Sequence, residues 1–327
     1  MRAAAGLRGR AGQRRPARAA GGAGTLRPRR RAGRHAASAG RAGAPSHRAA
    51  AVRRRGEPAR RVQRAGRSPA GAGIATFEYD KRGVGASTGT FVDALPLMER
   101  DAAAAVAYLR TRKDIDPRRI ALVGLSQGGV VAPVLAARDP AIAAVVTLAA
   151  PIGKRGAPFM LGLRSRLAAQ GTPPTAIEHI AAAVHQWMEA RLADAAPAEV
   201  ARLRAGAVAS FGATGATIAQ AEGMVALLDT PALLSMYDSG TADDFQRIRV
   251  PVLALFGSGD DVLAPGTVAA AKAALDGHPT ATIVEIAGVN HVFQEPGAAG
   301  VGLPAVSAPA LLRLVPPWLA ERLARPR

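Results

Sequence analysis

Gly124-Leu125-Ser126-Gln127-Gly128 sets a serine between two glycines, with a strand-like run, Ile120 to Gly124, before it and a helical stretch, Gln127 to Arg138, after it. This is the G-x-S-x-G pattern in the context it requires, a sharp strand-to-helix turn that exposes the serine hydroxyl over the carboxyl edge of a sheet. The glycines are needed because a Cβ at either flank would collide with neighbouring backbone. The backbone N–H of Gln127, at the helix start, can then donate to a developing oxyanion. Out of that setting, the same letters describe a glycine-rich turn with an incidental serine.

A serine hydroxyl is a poor nucleophile near neutral pH, so it needs a base, and the base needs a carboxylate to fix its tautomer and stabilise its charge. The carboxylate is expected beyond a later strand, where Gly257-Ser258-Gly259-Asp260-Asp261 follows the apolar run Val252 to Phe256. Asp260 is preferred and Asp261 is the alternative, since either can also satisfy the turn or cap the helix near Thr267. The base is expected after the last strand, in Gly288-Val289-Asn290-His291-Val292-Phe293. Of the six histidines, His35 and His47 lie in a basic segment, His179 and His185 in a helical insertion, and His278 in a Gly-His-Pro turn. His291 is the one whose place answers the chemical need.

These residues must be carried by an alternation of strands and helices, which predicts a parallel sheet with crossover helices. Strands are expected at Ile74 to Tyr79, Ile120 to Gly124, Ala143 to Leu148, Val250 to Phe256 and Thr282 to Ile286. Helices are expected from near Asp93 to Arg112, Gln127 to Arg138, Thr267 to Leu275 and about Ala308 to Leu323. Ile152 to Ile248 has helical patterning without a convincing strand and reads as an inserted lid. The expected division is therefore 1–72, then a core in two parts, 73–151 and 249–327, around a lid at 152–248.

Composition separates the first segment from the rest. The chain has 327 residues, 49% apolar but only 4% aromatic, and no cysteine, which excludes disulfide scaffolds, cysteine-based zinc sites and thiol catalysis. The formal charge is +19. Residues 1–72 hold 20 Arg and the single acid Glu57, which accounts for all of it, while 73–327 carry 23 basic and 23 acidic residues. The first 72 residues are almost wholly Ala, Gly, Arg and Pro, too poor in apolar side chains to offset chain entropy, so disorder is expected there. They admit three readings: a basic arm, an arginine-rich transit peptide, or coding sequence translated in a shifted frame, which is favoured because these residues have the codons richest in G and C. The segment lacks the continuous apolar run of a signal peptide, and the expected compartment is the cytoplasm. The longest apolar stretch, Ile120 to Ala137, is broken by Gly124, Ser126, Gln127, Gly128 and Gly129, so no transmembrane segment is expected. Nucleic acid is not an expected partner, because the charge is confined to a segment without a core.

Four blocks, in order, resemble the α/β-hydrolase superfamily in its bacterial esterase branch with a serine aminopeptidase type domain. They are Tyr79-Asp80-Lys81-Arg82-Gly83-Val84-Gly85-Ala86-Ser87-Thr88-Gly89, Gly124 to Gly129, Pro251 to Asp260, and Asn290-His291-Val292-Phe293-Gln294. The resemblance covers about residues 74–325. It implies Ser126 as nucleophile, Asp260 as triad acid and His291 as base, with no metal and no cofactor. The implied fold is a doubly wound, mostly parallel α/β sheet with an inserted helical lid.

Relatives have three more strands before Ile74, and the loop after the third supplies a second oxyanion N–H. Nothing in 1–72 matches that pattern, so the first strands are expected to be missing. The gap would fall between the strands at Ile74 to Tyr79 and Ile120 to Gly124. The expected activity is hydrolysis of a carboxylic ester of a small or medium substrate through an acyl-enzyme on Ser126. The alternatives are an amide or peptide hydrolase, a catalytically impaired relative with an incomplete oxyanion hole, and a basic-tailed binding protein.

Overall fold

The computed structural model describes the backbone of residues 47–52 and, with side chains, residues 74–85, 87–296 and 308–324. Six strands form one sheet: β1 (His47–Val52), β2 (Ile74–Thr76), β3 (Ile115–Leu125), β4 (Ile142–Leu148), β5 (Val252–Gly257) and β6 (Ala281–Ile286). Their spatial order is β2-β1-β3-β4-β5-β6, and every neighbouring pair is parallel. Parallel strands covered on both faces read as unbroken apolar runs. Ile142-Ala143-Ala144-Val145-Val146 of β4 and Val252-Leu253-Ala254-Leu255-Phe256 of β5 are such runs, buried throughout.

The helices α1 (Leu95–Thr111), α2 (Gln127–Arg138), α8 (Thr241–Arg247) and α9 (Thr267–Ala274) contribute to the core on one face, with Leu95, Met98, Val106, Val131, Leu135, Phe245 and Ala271 packed against Val145, Val252 and Ala254. On the other face, Leu319 and Leu323 of α10 (Pro309–Ala324) meet Val146, Leu253, Leu255 and Phe293. The expected sheet with helices on both sides is present, and the predicted α2 coincides with the observed helix.

The sheet departs from the sequence expectation in three ways: β2 ends at Thr76 and not at Tyr79, β3 begins at Ile115 and not at Ile120, and a slot expected to be empty is filled. The position between β2 and β3, where a strand was predicted to be wanting, is occupied by β1, with Arg48 opposite Ile74 and Ala50 opposite both Thr76 and Ala121. A strand is held in a sheet through its backbone N–H and C=O groups, so a run as poor in large aliphatics as His47–Val52 can fill an inner slot that composition had ruled out. The remaining residues of 1–72, with the expected disorder and the two strands before the missing one, lie outside the described residues.

Between β4 and β5 the described chain is helical throughout: α3 (Ala157–Ala169), α4 (Pro174–Leu192), α5 (Pro197–Gly212), α6 (Ile218–Leu228), α7 (Pro231–Asp238) and then α8. Helices α3 to α7 have their own core, built on Leu163, Ile180, Val184, Trp187, Met188, Phe211, Val225 and Tyr237. Helix α8 does not share it. Phe245 and the adjoining Ile248 belong to the core under the sheet, so the separately packed part of the expected 152–248 lid ends at α7.

Tyr237 anchors this part. Its hydroxyl donates to Glu189 Oε1 at 2.6 Å, and Arg155, stacked over the ring, bonds Glu189 at 2.6 Å and Asp238 at 2.7 Å. Burial, and then the bond to the Glu189 carboxylate, push the Tyr237 phenol well above its ordinary value. The two ends of the insertion are joined at Thr241. Its hydroxyl accepts the Gly153 N–H at 3.0 Å and donates to the Pro151 carbonyl at 2.9 Å, while the Ala242 N–H donates to the Gly153 carbonyl at 3.0 Å.

Candidate active site

Ser126 directly follows the last residue of β3 and precedes the first residue of α2, with φ 54° and ψ −114°. A positive φ is costly for any residue with a Cβ, by about 1–3 kcal/mol, and persists only where surrounding structure enforces it. The enforcement is visible. The Ser126 N–H donates to the Leu148 carbonyl of β4 at 2.8 Å, and its carbonyl accepts the Gly129 N–H at 2.8 Å. A Cβ on Gly124 would lie 2.0 Å from the Gly128 oxygen, so the strand can fold back onto the helix only with glycine there. Gln127 is the first residue of α2, and its N–H has no partner within the helix.

Asp260 follows β5 and His291 follows β6. Leu125 is paired with Leu148, Leu148 with Leu255, and Gly257 with Ile286, so Ser126, Asp260 and His291 all leave the sheet at its carboxyl edge. His291 Nδ1 lies 2.8 Å from Asp260 Oδ2, and both side chains are buried, at 11% and 4% exposure. The other carboxylate oxygen, Oδ1, accepts the backbone N–H groups of Val262 at 2.9 Å and Leu263 at 3.0 Å. Asp260 is thus the aspartate that meets the histidine, while Asp261 is exposed.

Burial on its own would raise the Asp260 carboxyl. The hydrogen bonds from His291, Leu263 and Val262 and the charge of the imidazole outweigh that cost and hold it below the ordinary carboxylate value. With the carboxylate ionised, the Nδ1 proton points at Asp260, and Nε2 is left as the acceptor. That nitrogen is buried and has no hydrogen-bond partner.

The acid and base loops touch. The Val289 carbonyl passes so near Gly257 that a Cβ there would lie 2.3 Å from it, and Gly259 N–H donates to the same oxygen at 3.0 Å. Ser258 Oγ accepts the Gly288 N–H at 2.8 Å. Gly257→Ala is accordingly expected to push the histidine loop off the aspartate loop. Overpacking of this kind costs about 1–3 kcal/mol, so melting should fall by several degrees and turnover with it. Unchanged melting and turnover in that variant would show that the loops are not in close contact.

The remaining histidines are accounted for elsewhere: His185 Nδ1 bonds the Tyr237 hydroxyl, His278 Nδ1 accepts the Thr280 N–H, and His179 is exposed. His35 and the side chain of His47 lie outside the described residues, as does the segment following β1, where the second oxyanion donor that the sequence did not show would belong. Among the described residues no group of three His, Asp or Glu side chains is arranged to hold a metal ion, and no helix is long and apolar enough to cross a membrane. A concavity of about 250 Å³ lies at the opposite, amino edge, between α1 and α2, lined by Arg100, Arg110, Leu135 and Asp139. It shares no residue with the candidate site.

Sequence reasoning gave no role to Thr241, Ser258 or Asn290, although the last two stand in motifs it singled out. The last had a usable signal, since asparagine commonly closes a turn by bonding backbone two residues on.

The family model for the serine aminopeptidase S33 domain matches residues 44–295, a span that begins within the arginine-rich segment and takes in β1. A thiohydrolase, apmlB, of Arthrinium phaeospermum is 35% identical over 120 residues, which are 33% of this chain and 39% of that protein. The chain thus spans about two fifths of the length of this curated relative. Among solved structures, the monoacylglycerol lipase of Paleococcus ferrophilus is 18% identical with a TM-score of 0.45, over 84% of this chain and 94% of that one. The α/β hydrolase GrgF from Penicillium sp. sh18 is 16% identical with a TM-score of 0.48, over 86% of this chain and 91% of that one. Since the family model spans most of the sequence and the six-stranded parallel sheet agrees with it, the chain belongs to the serine aminopeptidase S33 family of α/β-hydrolases.

Proposed function

We propose that the protein is a serine hydrolase that cleaves a carboxylic ester of a small or medium substrate through an acyl-enzyme on Ser126. The observation that carries this reading is the buried Asp260–His291 pair with an unpartnered Nε2, at the same sheet edge as a serine held at positive φ. Ser126 Oγ attacks the ester carbonyl carbon while His291 Nε2 takes its proton. The Gln127 N–H donates to the resulting oxyanion. As the tetrahedral adduct collapses, the C–O bond to the alcohol breaks, and the imidazolium returns the proton to the departing alkoxide oxygen. Water, deprotonated by the same Nε2, then attacks the acyl-enzyme; as this second adduct collapses the C–O bond to Ser126 breaks, and the imidazolium returns the proton to Ser126 Oγ, releasing the acid. Asp260 holds the imidazole in its Nδ1–H tautomer and offsets its charge in both halves. The insertion α3–α7 shapes the acyl or alcohol pocket.

The amide reading suits the substrate less well in one respect. An aminopeptidase must bind an α-ammonium group, for which an unengaged carboxylate is the natural partner. From α3 to α7, Glu178, Glu189, Glu199, Glu222, Asp229 and Asp238 are each paired with an arginine, leaving Asp194 in the α4–α5 turn. A thioester is the second reading, favoured by the likeness to a protein named a thiohydrolase. It needs the same acyl-enzyme.

A fluorophosphonate probe reacts with an activated serine whatever the substrate, and it is expected to label Ser126. Turnover of p-nitrophenyl butyrate, a butyryl thioester and an aminoacyl p-nitroanilide then ranks the leaving groups, with the anilide slowest. Absence of label at Ser126, or preference for the anilide, would overturn the proposal.

A further inference from the structure

We infer that Asn290 is a positioning residue for His291, acting through the turn on which the imidazole is mounted; this rests on the triad reading above. The Asn290 side-chain oxygen accepts two backbone N–H groups, from Val292 at 3.1 Å and Gln294 at 2.9 Å. Its main chain adds two more bonds, N–H to the Gln294 carbonyl at 3.0 Å and carbonyl to the Phe293 N–H at 2.9 Å. These four bonds span His291 from both sides in sequence. Within the same turn Phe293 has φ 58°, a conformation a bulky residue does not adopt unforced.

Two anchors hold the far side of the turn without Asn290. The Phe293 ring is buried in the core against Leu253, Leu255 and Val289, and its carbonyl accepts the Ala308 N–H at 2.7 Å. The fold therefore has support of its own at this point. The near side is different. His291 is fixed by Asp260 at Nδ1 and by the backbone of its turn, and nothing bonds Nε2. One hydrogen bond at Nδ1 does not by itself set the direction of Nε2, so the path of the backbone at 290–292 helps to decide where Nε2 points. Removing the Asn290 oxygen frees two N–H groups and loosens that path, while leaving the core anchors in place.

The test compares Asn290→Ala and Asn290→Asp with the wild-type chain, using p-nitrophenyl butyrate and the fluorophosphonate. A misplacement of about 1 Å can cost about 10²-fold in rate. Asn290→Ala is expected to lower kcat by about 10- to 100-fold, with KM changed less than about threefold, and to slow labelling of Ser126 in proportion. Asn290→Asp retains an acceptor oxygen in the same place and is expected to restore kcat to within about fivefold of wild type.

A merely structural asparagine would lower melting temperature without splitting kcat from KM. Wild-type kcat in Asn290→Ala overturns the inference, as does an aspartate variant that is folded by circular dichroism but no better than the alanine. If Asn290→Ala does not fold, the aspartate variant decides alone: kcat within about fivefold of wild type supports the inference and a larger loss overturns it. Failure of the wild-type protein to label at Ser126 would instead overturn the triad reading beneath it.

Discussion

Ser126→Ala is expected to abolish hydrolysis of short-chain activated esters while leaving the melting temperature within a few degrees. Loss of the nucleophile in a comparable triad costs about 10⁶ in turnover, because His291 and Asp260 then have no hydroxyl to activate. Stability should barely respond, since the backbone bonds to Leu148 and Gly129 fix the turn and survive the change. Alanine keeps the Cβ and therefore the strain of φ 54°. Glycine does not. Ser126→Gly should be as inactive as the alanine variant yet melt higher, in line with the preference of glycine for positive φ. An alanine variant that kept even one tenth of wild-type turnover would remove Ser126 from the mechanism.

Asp260→Asn is expected to lower kcat by about 10⁴, the size of effect such a replacement has in another triad enzyme, while Asp261→Asn stays close to wild type. The asparagine amide can sit in two ways. With its NH₂ toward His291 it opposes the Nδ1 proton and forces it to Nε2, where the proton blocks acceptance from Ser126. With its NH₂ turned inward it faces the N–H groups of Val262 and Leu263, two donors that now lack an acceptor. Both arrangements lose the charge that stabilises the imidazolium. Titration tests the same pair from the other side. The Asp260 carboxyl is held below its ordinary value, so its protonation should not contribute to any loss of activity above the usual carboxylate range. Equal losses in the two asparagine variants would move the acid to Asp261.

Much of the candidate site was legible because it depends on sequence-local features. The apolar runs of β3, β5 and β6 are each followed by a glycine-rich turn, and Ser126, Asp260 and His291 stand in or just after those three turns. What stayed hidden depends on contacts between segments. The Val289 carbonyl over Gly257 joins two loops that no periodicity connects, and the departure of α8 from the insertion core follows from where Phe245 and Ile248 are buried rather than from helical patterning. β1 escaped for a different reason. Composition reports the ability to bury side chains, and His47–Val52 has few to bury, whereas its pairing with β2 and β3 is a matter of main-chain hydrogen bonds.

The joint at Thr241 has a consequence for how such a protein can change over time. Gly153 and Thr241 are 88 positions apart in sequence yet hydrogen-bonded to each other. The excursion between them begins and ends at one point above β4 and β5. A stretch of chain tied off in this way can be lengthened, shortened or replaced without altering the spacing of the strands beneath it, because neither end has to move. Ser126, Asp260 and His291 all lie outside it. Under the proposed function, selection for a new substrate can rewrite α3 to α7 with those three residues left in place, and a graft of a relative's segment between Gly153 and Thr241 is the natural unit for exchanging specificity.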